Sequence, residues 1–259
     1  MKNMNNKAVT RIFTILITAL LLLCIAGFVL LCVFGPDPSV LAKKEAPPTE
    51  DATYELKETF DYGEGYLRSI VFICDKTMAP ICDAVETVNK DQIWTGAEGT
   101  LALDRGLSTA SVLLSDKQNE LPIPSAAESL RPQYIIITVG LENGVNHCTE
   151  EKFKEYYSNL INNLKNASPD TKIILQSIFP ISKIAEKNDP SISNDRIDTA
   201  NRYIAELAEE LSVKYLDTSS ILKDSKGNLD PKYDSGDGII LNKQGFEKVA
   251  EYIRTHGYQ

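Results

Sequence analysis

Gln133-Tyr-Ile-Ile-Ile-Thr-Val-Gly140 is an unbroken apolar run of mostly β-branched residues closed by a glycine. A strand with one wet face alternates apolar and polar residues. A run without alternation is expected where both faces are covered, as in a parallel sheet. Upstream, Ser69-Ile-Val-Phe-Ile-Cys74 has the same character, and Thr100 to Leu103 reads as a weaker, short strand. Downstream, Lys172 to Ile178, closed by Pro180, and Val213 to Leu216 repeat the pattern. Between these runs the period changes. Pro80 to Asn89 reads as a helix. Thr149 to Ala167 is a second, with Thr149 as cap and Phe153, Tyr156, Tyr157, Leu160, Ile161 and Leu164 at helical spacing. Asn194 to Leu211 carries Ile197, Ala200, Ile204, Leu207, Ala208 and Leu211 on one stripe, and Lys243 to Thr255 carries Phe246, Val249, Ala250 and Ile253. Strands alternating with amphipathic helices are βαβ units. They predict an α/β fold with a parallel sheet of about five strands, covered on both faces. In such a sheet the ligand crevice lies beyond the carboxyl ends of the strands. The segments after Cys74, Val139 and Ile178, and the loop before the last helix, are expected to meet there.

The chain has 259 residues, 43% hydrophobic and 24% charged, as a folded globular protein requires. Residues 66–259 suit one domain with one sizeable core. The formal net charge is −9 and the pI about 4.9, with no run of Lys and Arg. Nucleic acid is therefore excluded as a partner, and the acidity reads as a solubility feature.

The 23 residues Ile12 to Phe34 carry no charge. At about 1.5 Å per residue they span a hydrocarbon core of about 30 Å. Lys2, Lys7 and Arg11 precede the run with no acid among them. This charge placement predicts a cytoplasmic N-terminus (1–11), a transmembrane helix (12–34) and everything after it outside. The competing reading is a long cleaved signal peptide with Val40-Leu41-Ala42 at the cleavage site. Gly35 to Gly65, with Pro36, Pro38, Pro47 and Pro48, reads as an extracytoplasmic stalk. The membrane is thus an expected partner, through the N-terminal helix.

Cys74, Cys82 and Cys148 fall in the globular part, an odd number. They read either as free thiols or as one disulfide, Cys82–Cys148 foremost, plus a free thiol. No C-x-x-C pair occurs and only two histidines exist, so no metal or other cofactor is expected. Trp94, the only tryptophan, reads as a core or edge anchor, with a sugar-site platform as the alternative.

Three strand-end and helix-start segments carry a family resemblance. Phe72-Ile-Cys-Asp-Lys-Thr77 resembles the F-x-G-D-S-T block of SGNH/GDSL hydrolases, Val139-Gly-Leu-Glu-Asn-Gly144 their G-x-N block, and Asp237-Gly-Ile-Ile-Leu-Asn-Lys-Gln-Gly-Phe246 their D-G-x-H-L-N-x-x-G-F/Y block. Ile174 to Pro180 is similar to their fourth strand, and the order and spacing agree over residues 66–259. The resemblance implies a flavodoxin-like three-layer α/β/α sandwich and hydrolysis of acyl esters, often acetyl groups on glycans. In that chemistry a serine attacks, a histidine takes its proton, an aspartate orients the histidine, and backbone N–H groups with an asparagine hold the oxyanion.

This chain departs from the pattern where the chemistry sits. Lys76 stands at the serine position, Glu142 at the asparagine position in the simplest alignment, Ile240 at the histidine position and Cys74 at the glycine; Asp237 is retained. A lysine ammonium is neither nucleophile nor base, and isoleucine moves no proton. Glu142 would set a negative charge where an oxyanion forms; like charges 4 Å apart repel by roughly 4 kcal/mol at an effective dielectric of about 20. Substitutes exist on paper: Asn143 for the lost asparagine, Thr77 or Ser108 as nucleophile, His147 as base. His256 lies a full helix away. The expected pocket therefore comprises Asp75, Lys76, Thr77, Gly140, Glu142, Asn143, His147 and Asp237, with Lys76, Glu142 and Asp237 as a salt-bridged floor or an anion site. Three functions follow: a non-catalytic surface protein that binds a glycan, an acyl-glycan or a protein partner; a weak esterase or O-acetylhydrolase of surface glycans with a rearranged site; or a scaffold in a membrane complex that meets its partners through the helix and stalk.

Overall fold

The computed structural model describes residues 54–114 and 120–259. The transmembrane, N-terminal and most of the stalk assignments lie outside the described residues. Among the described residues no helix is long and apolar enough to cross a membrane.

In chain order the elements are α1 (Gly63–Arg68), β1 (Ile70–Cys74), α2 (Ile81–Ala84), a 3-10 turn (Lys90–Gln92), β2 (Ile93–Trp94), a second 3-10 turn (Leu107–Thr109), β3 (Ser111–Leu113), β4 (Glu120–Pro122), α3 (Ile123–Leu130), β5 (Tyr134–Thr138), α4 (Gly144–His147), α5 (Glu150–Ala167), β6 (Lys172–Gln176), α6 (Lys183–Asn188), α7 (Asn194–Glu210), β7 (Lys214–Leu216), a third 3-10 turn (Ser220–Leu222) and α8 (Lys243–Thr255). Five strands form one sheet in the order β2-β1-β5-β6-β7, every pair parallel. β3 and β4 form a separate antiparallel hairpin.

The apolar runs lack alternation because both of their faces are buried in different layers. Ile135 and Ile137 of β5, Ile173 and Leu175 of β6 and Ile73 of β1 pack in one cluster with Leu160 and Ile161 of α5 and Ile204 and Leu207 of α7. The intervening residues Ile136, Ile174, Phe72 and Cys74 pack in the other with Leu67 of α1, Ile81 of α2 and Phe246 and Val249 of α8. The side-chain period of two therefore feeds two apolar cores, each side chain contributing about 1.5–3 kcal/mol of burial. This is the three-layer α/β/α arrangement that fits a flavodoxin-like sandwich.

Helix ends follow the sequence. Thr149 accepts from Lys152 N–H to start α5, and Asn242 accepts from Gly245 N–H to start α8.

Three local expectations are corrected. The helix expected over Pro80–Asn89 is a single turn, Ile81–Ala84. Asn89 instead opens a capping box with Gln92, whose side chain also donates to the carbonyls of Leu67 and Ile70 at 2.6 Å each; Val85, Thr87 and Val88 are weak helix formers that let the box win. Thr100–Leu103 is not a strand. Leu101 and Leu103 are buried from a loop that Gly96 N–H ties to Thr100 O (3.1 Å) and Leu103 N–H ties to Glu142 O (3.2 Å). The edge strand is β2 instead, where Trp94 is fully buried opposite Ile73 and so unable to serve as an exposed platform. A Cys82–Cys148 disulfide does not form: all three thiols are free. Cys82 packs on the α8 side of the sheet and Cys148 on the α5 side, so the sheet stands between them.

Residues 54–65, read as the end of a stalk, lie against the domain. Glu55 bridges Tyr215 as a parallel extension of the sheet, and Leu56 is buried.

Candidate functional site

The strand order reverses at β1: the chain leaves it for β2 on one side and returns to β5 on the other. Cys74 and Thr138 are register partners at the shared carboxyl edge, so Asp75 and Val139 open the crevice at the switch point.

Asp75 ties the two strand-end loops together. Its N–H donates to Thr138 O (3.0 Å). Its Oδ1 accepts from Thr77 N–H (2.9 Å) and Thr77 Oγ1–H (2.5 Å), and its Oδ2 from Leu141 N–H (3.3 Å). Asp75 and Thr77 are both 1% exposed. Burial pushes the Asp75 carboxyl up; the hydrogen bonds from Thr77 and Leu141 pull it back and the Glu142 charge adds to the rise, leaving it above the ordinary carboxylate range.

Lys76 turns outward from this buried tie. Its Nζ is 2.5 Å from Glu142 Oε1, with side-chain exposures of 54% and 27%. Thr100 closes the arrangement: its hydroxyl donates to Glu142 Oε2 (2.8 Å) and accepts from Lys76 N–H (3.1 Å). The result is a ring from the Lys76 ammonium to the Glu142 carboxylate, to the Thr100 hydroxyl and back to the Lys76 backbone. Burial raises the Glu142 carboxyl, but the hydrogen bonds from Lys76 and Thr100 and the Lys76 charge together hold it below its usual range.

Gly140, next to this ring, has φ +133°. A Cβ there would sit 2.9 Å from Ile178 Cδ1 and 3.5 Å from Phe153, so only glycine fits. Asn143 is exposed with φ +62° at the cap of α4, and its side chain makes no capping bond. His147 is exposed at the last residue of α4. It lies near Asp189, whose carboxyl is held low by hydrogen bonds from Ser191 first and by the His147 charge in addition.

Asp237 does not join Lys76. Its Oδ1 accepts from Ile239 N–H (2.8 Å), Ile240 N–H (2.8 Å) and Ser235 Oγ–H (3.2 Å). Burial raises this carboxyl, but those bonds together hold it below the usual range. The loop is docked by Ser182 N–H, which donates to Gly238 O (2.8 Å). One oxygen of the carboxylate that would orient a histidine thus holds its own turn, and the Ile240 side chain packs half-buried against the α8-side core.

The expected floor of Lys76, Glu142 and Asp237 is therefore two separate devices: an ion pair between the β1 and β5 loops, and a self-capped turn before α8. Among the described residues no hydrogen bond joins an imidazole to Thr77, Ser108 or a cysteine. His256 stacks on Tyr252 at the far end of α8, 3.6 Å between ring centroids. No cluster of three or more His, Cys, Asp or Glu able to hold a metal ion occurs among the described residues. Thr100 is the member of the site that sequence reasoning missed; nothing local marks it, since its partners lie 24 and 42 residues away.

The GDSL-like lipase/acylhydrolase family matches residues 86–248. The chain belongs to that family. The matched stretch starts past Thr77, so it includes the Glu142 and Asp237 blocks but not the first one. Among solved structures, a Streptococcus pneumonia protein assigned as a platelet activating factor is 16% identical, with a TM-score of 0.51 over 74% of this chain and 89% of that one. A GDSL-like lipase from Bacteroides thetaiotaomicron is 15% identical, with a TM-score of 0.50 over 71% and 85%. At such identities the likeness speaks for the fold. No curated protein matches the sequence.

Proposed function

We propose that this chain is a membrane-anchored, extracytoplasmic GDSL-family domain that has lost hydrolysis and serves in binding, with a cell-surface glycan, acyl-glycan or protein as its partner. The observation that carries the loss is the Lys76–Glu142 ion pair. The groups at the nucleophile and oxyanion positions are a cation and an anion that satisfy each other. Acyl transfer needs a group that yields a proton, a base that takes it and donors for the oxyanion. At the family's positions the crevice has Lys76 for the proton-yielding serine, Ile240 for the base and the Glu142 carboxylate for the oxyanion asparagine. The buried Thr77 hydroxyl donates to Asp75, but no imidazole accompanies it.

The anchor rests on the uncharged stretch Ile12 to Phe34 and the basic residues before it. Outside intact cells, an added protease is expected to remove the C-terminal domain. Protection of that domain would reverse the orientation.

Hydrolysis is tested on the full chain in detergent with 4-nitrophenyl acetate and an acetylated polysaccharide. The expected rate equals the buffer blank. Turnover above the blank that disappears in Thr77→Ala or His147→Ala would establish the rearranged-esterase reading in its place.

A further inference from the structure

We propose that the amino edge of the sheet, where the rings of Phe60, Tyr62, Tyr66, Tyr134 and Tyr258 form a row, rests on the headgroup region of the bilayer that holds the chain, so that the crevice faces away from the membrane. The proposal rests on the anchor proposed above and adds an orientation to it.

Phe60 stacks on Tyr62 (4.5 Å between ring centroids), and Tyr62 leads to Tyr66 (5.3 Å). Tyr66 meets Tyr134 edge-on (4.9 Å), and Tyr134 leads to Tyr258 (6.1 Å). The C-terminal segment holds this row in place. A Cβ at Gly257 would come within 2.5 Å of the Tyr62 ring, and Tyr258 N–H donates to Tyr66 Oη (3.0 Å). Phe60 ends the row and is 73% exposed. Leu130, also a large exposed apolar side chain, ends α3 four residues before Tyr134.

The position of the row singles out a bilayer as its occupant. Tyr134 is the first residue of β5 and Lys172 the first of β6, and the two are register partners. The row therefore lies at the amino edge of the sheet. Tyr54, the first described residue, lies at the same edge: its carbonyl accepts from the N–H of Tyr215 in β7 (2.8 Å). Nineteen residues, 35–53, separate Phe34 from Tyr54. They reach at most about 65 Å, and the row begins six residues further on, so the tether attaches on the side that carries the rings. The crevice lies at the other end of the five-residue strand β1, about 16 Å away.

The chemistry agrees. Tyrosine, with an apolar ring and a polar tip, concentrates at membrane–water boundaries. Lys172 Nζ lies 5.8 Å from the Tyr258 ring centroid, and a lysine stem lies along apolar surface while its ammonium stays in water. The charges beside the row pair off: Arg254 with Asp61 (3.1 Å) and Arg68 with Glu64 (3.0 Å). The chain as a whole carries −9. Zwitterionic headgroups therefore suit this face, and an anionic surface repels the domain.

The test is NMR on the full chain in phosphatidylcholine nanodiscs, with and without a spin label on the headgroups. The label is expected to erase the ring signals of Phe60 and Tyr62. The methyl signals of Ile184 are expected to persist. Ile184 is as exposed as Phe60, at 74%, but sits in α6, beside Ser182, which docks on the loop before α8. Phe60→Ser is expected to restore the Tyr62 and Tyr258 signals, and discs of phosphatidylglycerol to give a smaller loss. Should Phe60→Ser not fold, the contrast between the two ends of the unmutated chain still decides. Ring signals that persist, equal loss at Ile184, loss kept in a folded Phe60→Ser, or a greater loss in phosphatidylglycerol overturns the docking alone. A chain that does not enter the disc overturns the anchor, and the docking with it.

Discussion

Lys76 Nζ lies 2.5 Å from Glu142 Oε1 across the two loops that leave β1 and β5. A half-exposed pair of this kind is worth about 0.2–1 kcal/mol. A double-mutant cycle with Lys76→Met and Glu142→Gln, read by urea unfolding, is expected to give a coupling energy in that range that shrinks as salt rises. A coupling of several kcal/mol insensitive to salt would mean that the pair is buried in solution.

Lys76→Ser alone is expected to stay inert toward acetyl esters, because no base reaches the new hydroxyl. Lys76→Ser with Glu142→Asn and Ile240→His restores the proton acceptor next to Asp237 and removes the charge opposed to the oxyanion. This triple variant is expected to turn over ester above the wild-type background. Equal activity in the single variant would show that a base comes from elsewhere in the fold.

Asp75 makes stability depend on pH. Its carboxyl is raised in the folded state, by burial above all, so the folded chain holds that proton to higher pH than the unfolded one. The contribution is fully present below the unfolded value of about 3.9. It is lost as pH rises through the raised folded value. Asp75→Asn is expected to abolish this decline. Unfolding free energies of the two proteins, measured across pH 4 to 8, should converge or cross as pH rises; a constant difference would mean that Asp75 ionises normally.

Two glycines should respond oppositely to alanine. Gly140→Ala forces a Cβ to 2.9 Å from Ile178 Cδ1 at φ +133°, for an expected loss of about 1–3 kcal/mol or more. Gly65, within α1, has open space around its Cβ position, and Gly65→Ala is expected to gain up to about 1 kcal/mol. Thermal midpoints moving in the same direction for both would contradict the backbone geometry at Gly140.

Asp237→Ala leaves the amides of Ile239 and Ile240 without their acceptor. The turn is open to water, so the expected cost is about 0.5–1.5 kcal/mol. Asp237→Asn should recover part of it. A neutral Asp237→Ala in a denaturant titration would show that water replaces the carboxylate without loss.

Most of the sheet was legible beforehand because its signal is local. Ile135, Ile136 and Ile137 are all buried, on alternate faces, and an unbroken apolar run is what two covered faces leave in a sequence. The stripes of α5, α7 and α8 were legible for the same reason. The failures were short or competed for. β2 has two residues and no period to read; Thr100–Leu103 imitates a strand because Leu101 and Leu103 point into the core from a loop. In the candidate site, the residues were legible as blocks in order, but their pairing was not.

The order of apolar runs and amphipathic stripes carried the α/β class and the crevice at the strand ends; that Lys76 and Ile240 stand at the family's serine and histidine positions is what the resemblance of the blocks implies. Which charges meet was settled by folding. Lys76 is bound to Glu142, while Asp237 turns back on its own loop. Thr100 enters the site from a segment with no marking. Periodicity records which side of an element is buried, since that repeats along the chain; a contact between loops 66 residues apart depends on how the strands between them are ordered in the sheet, and no local pattern carries that.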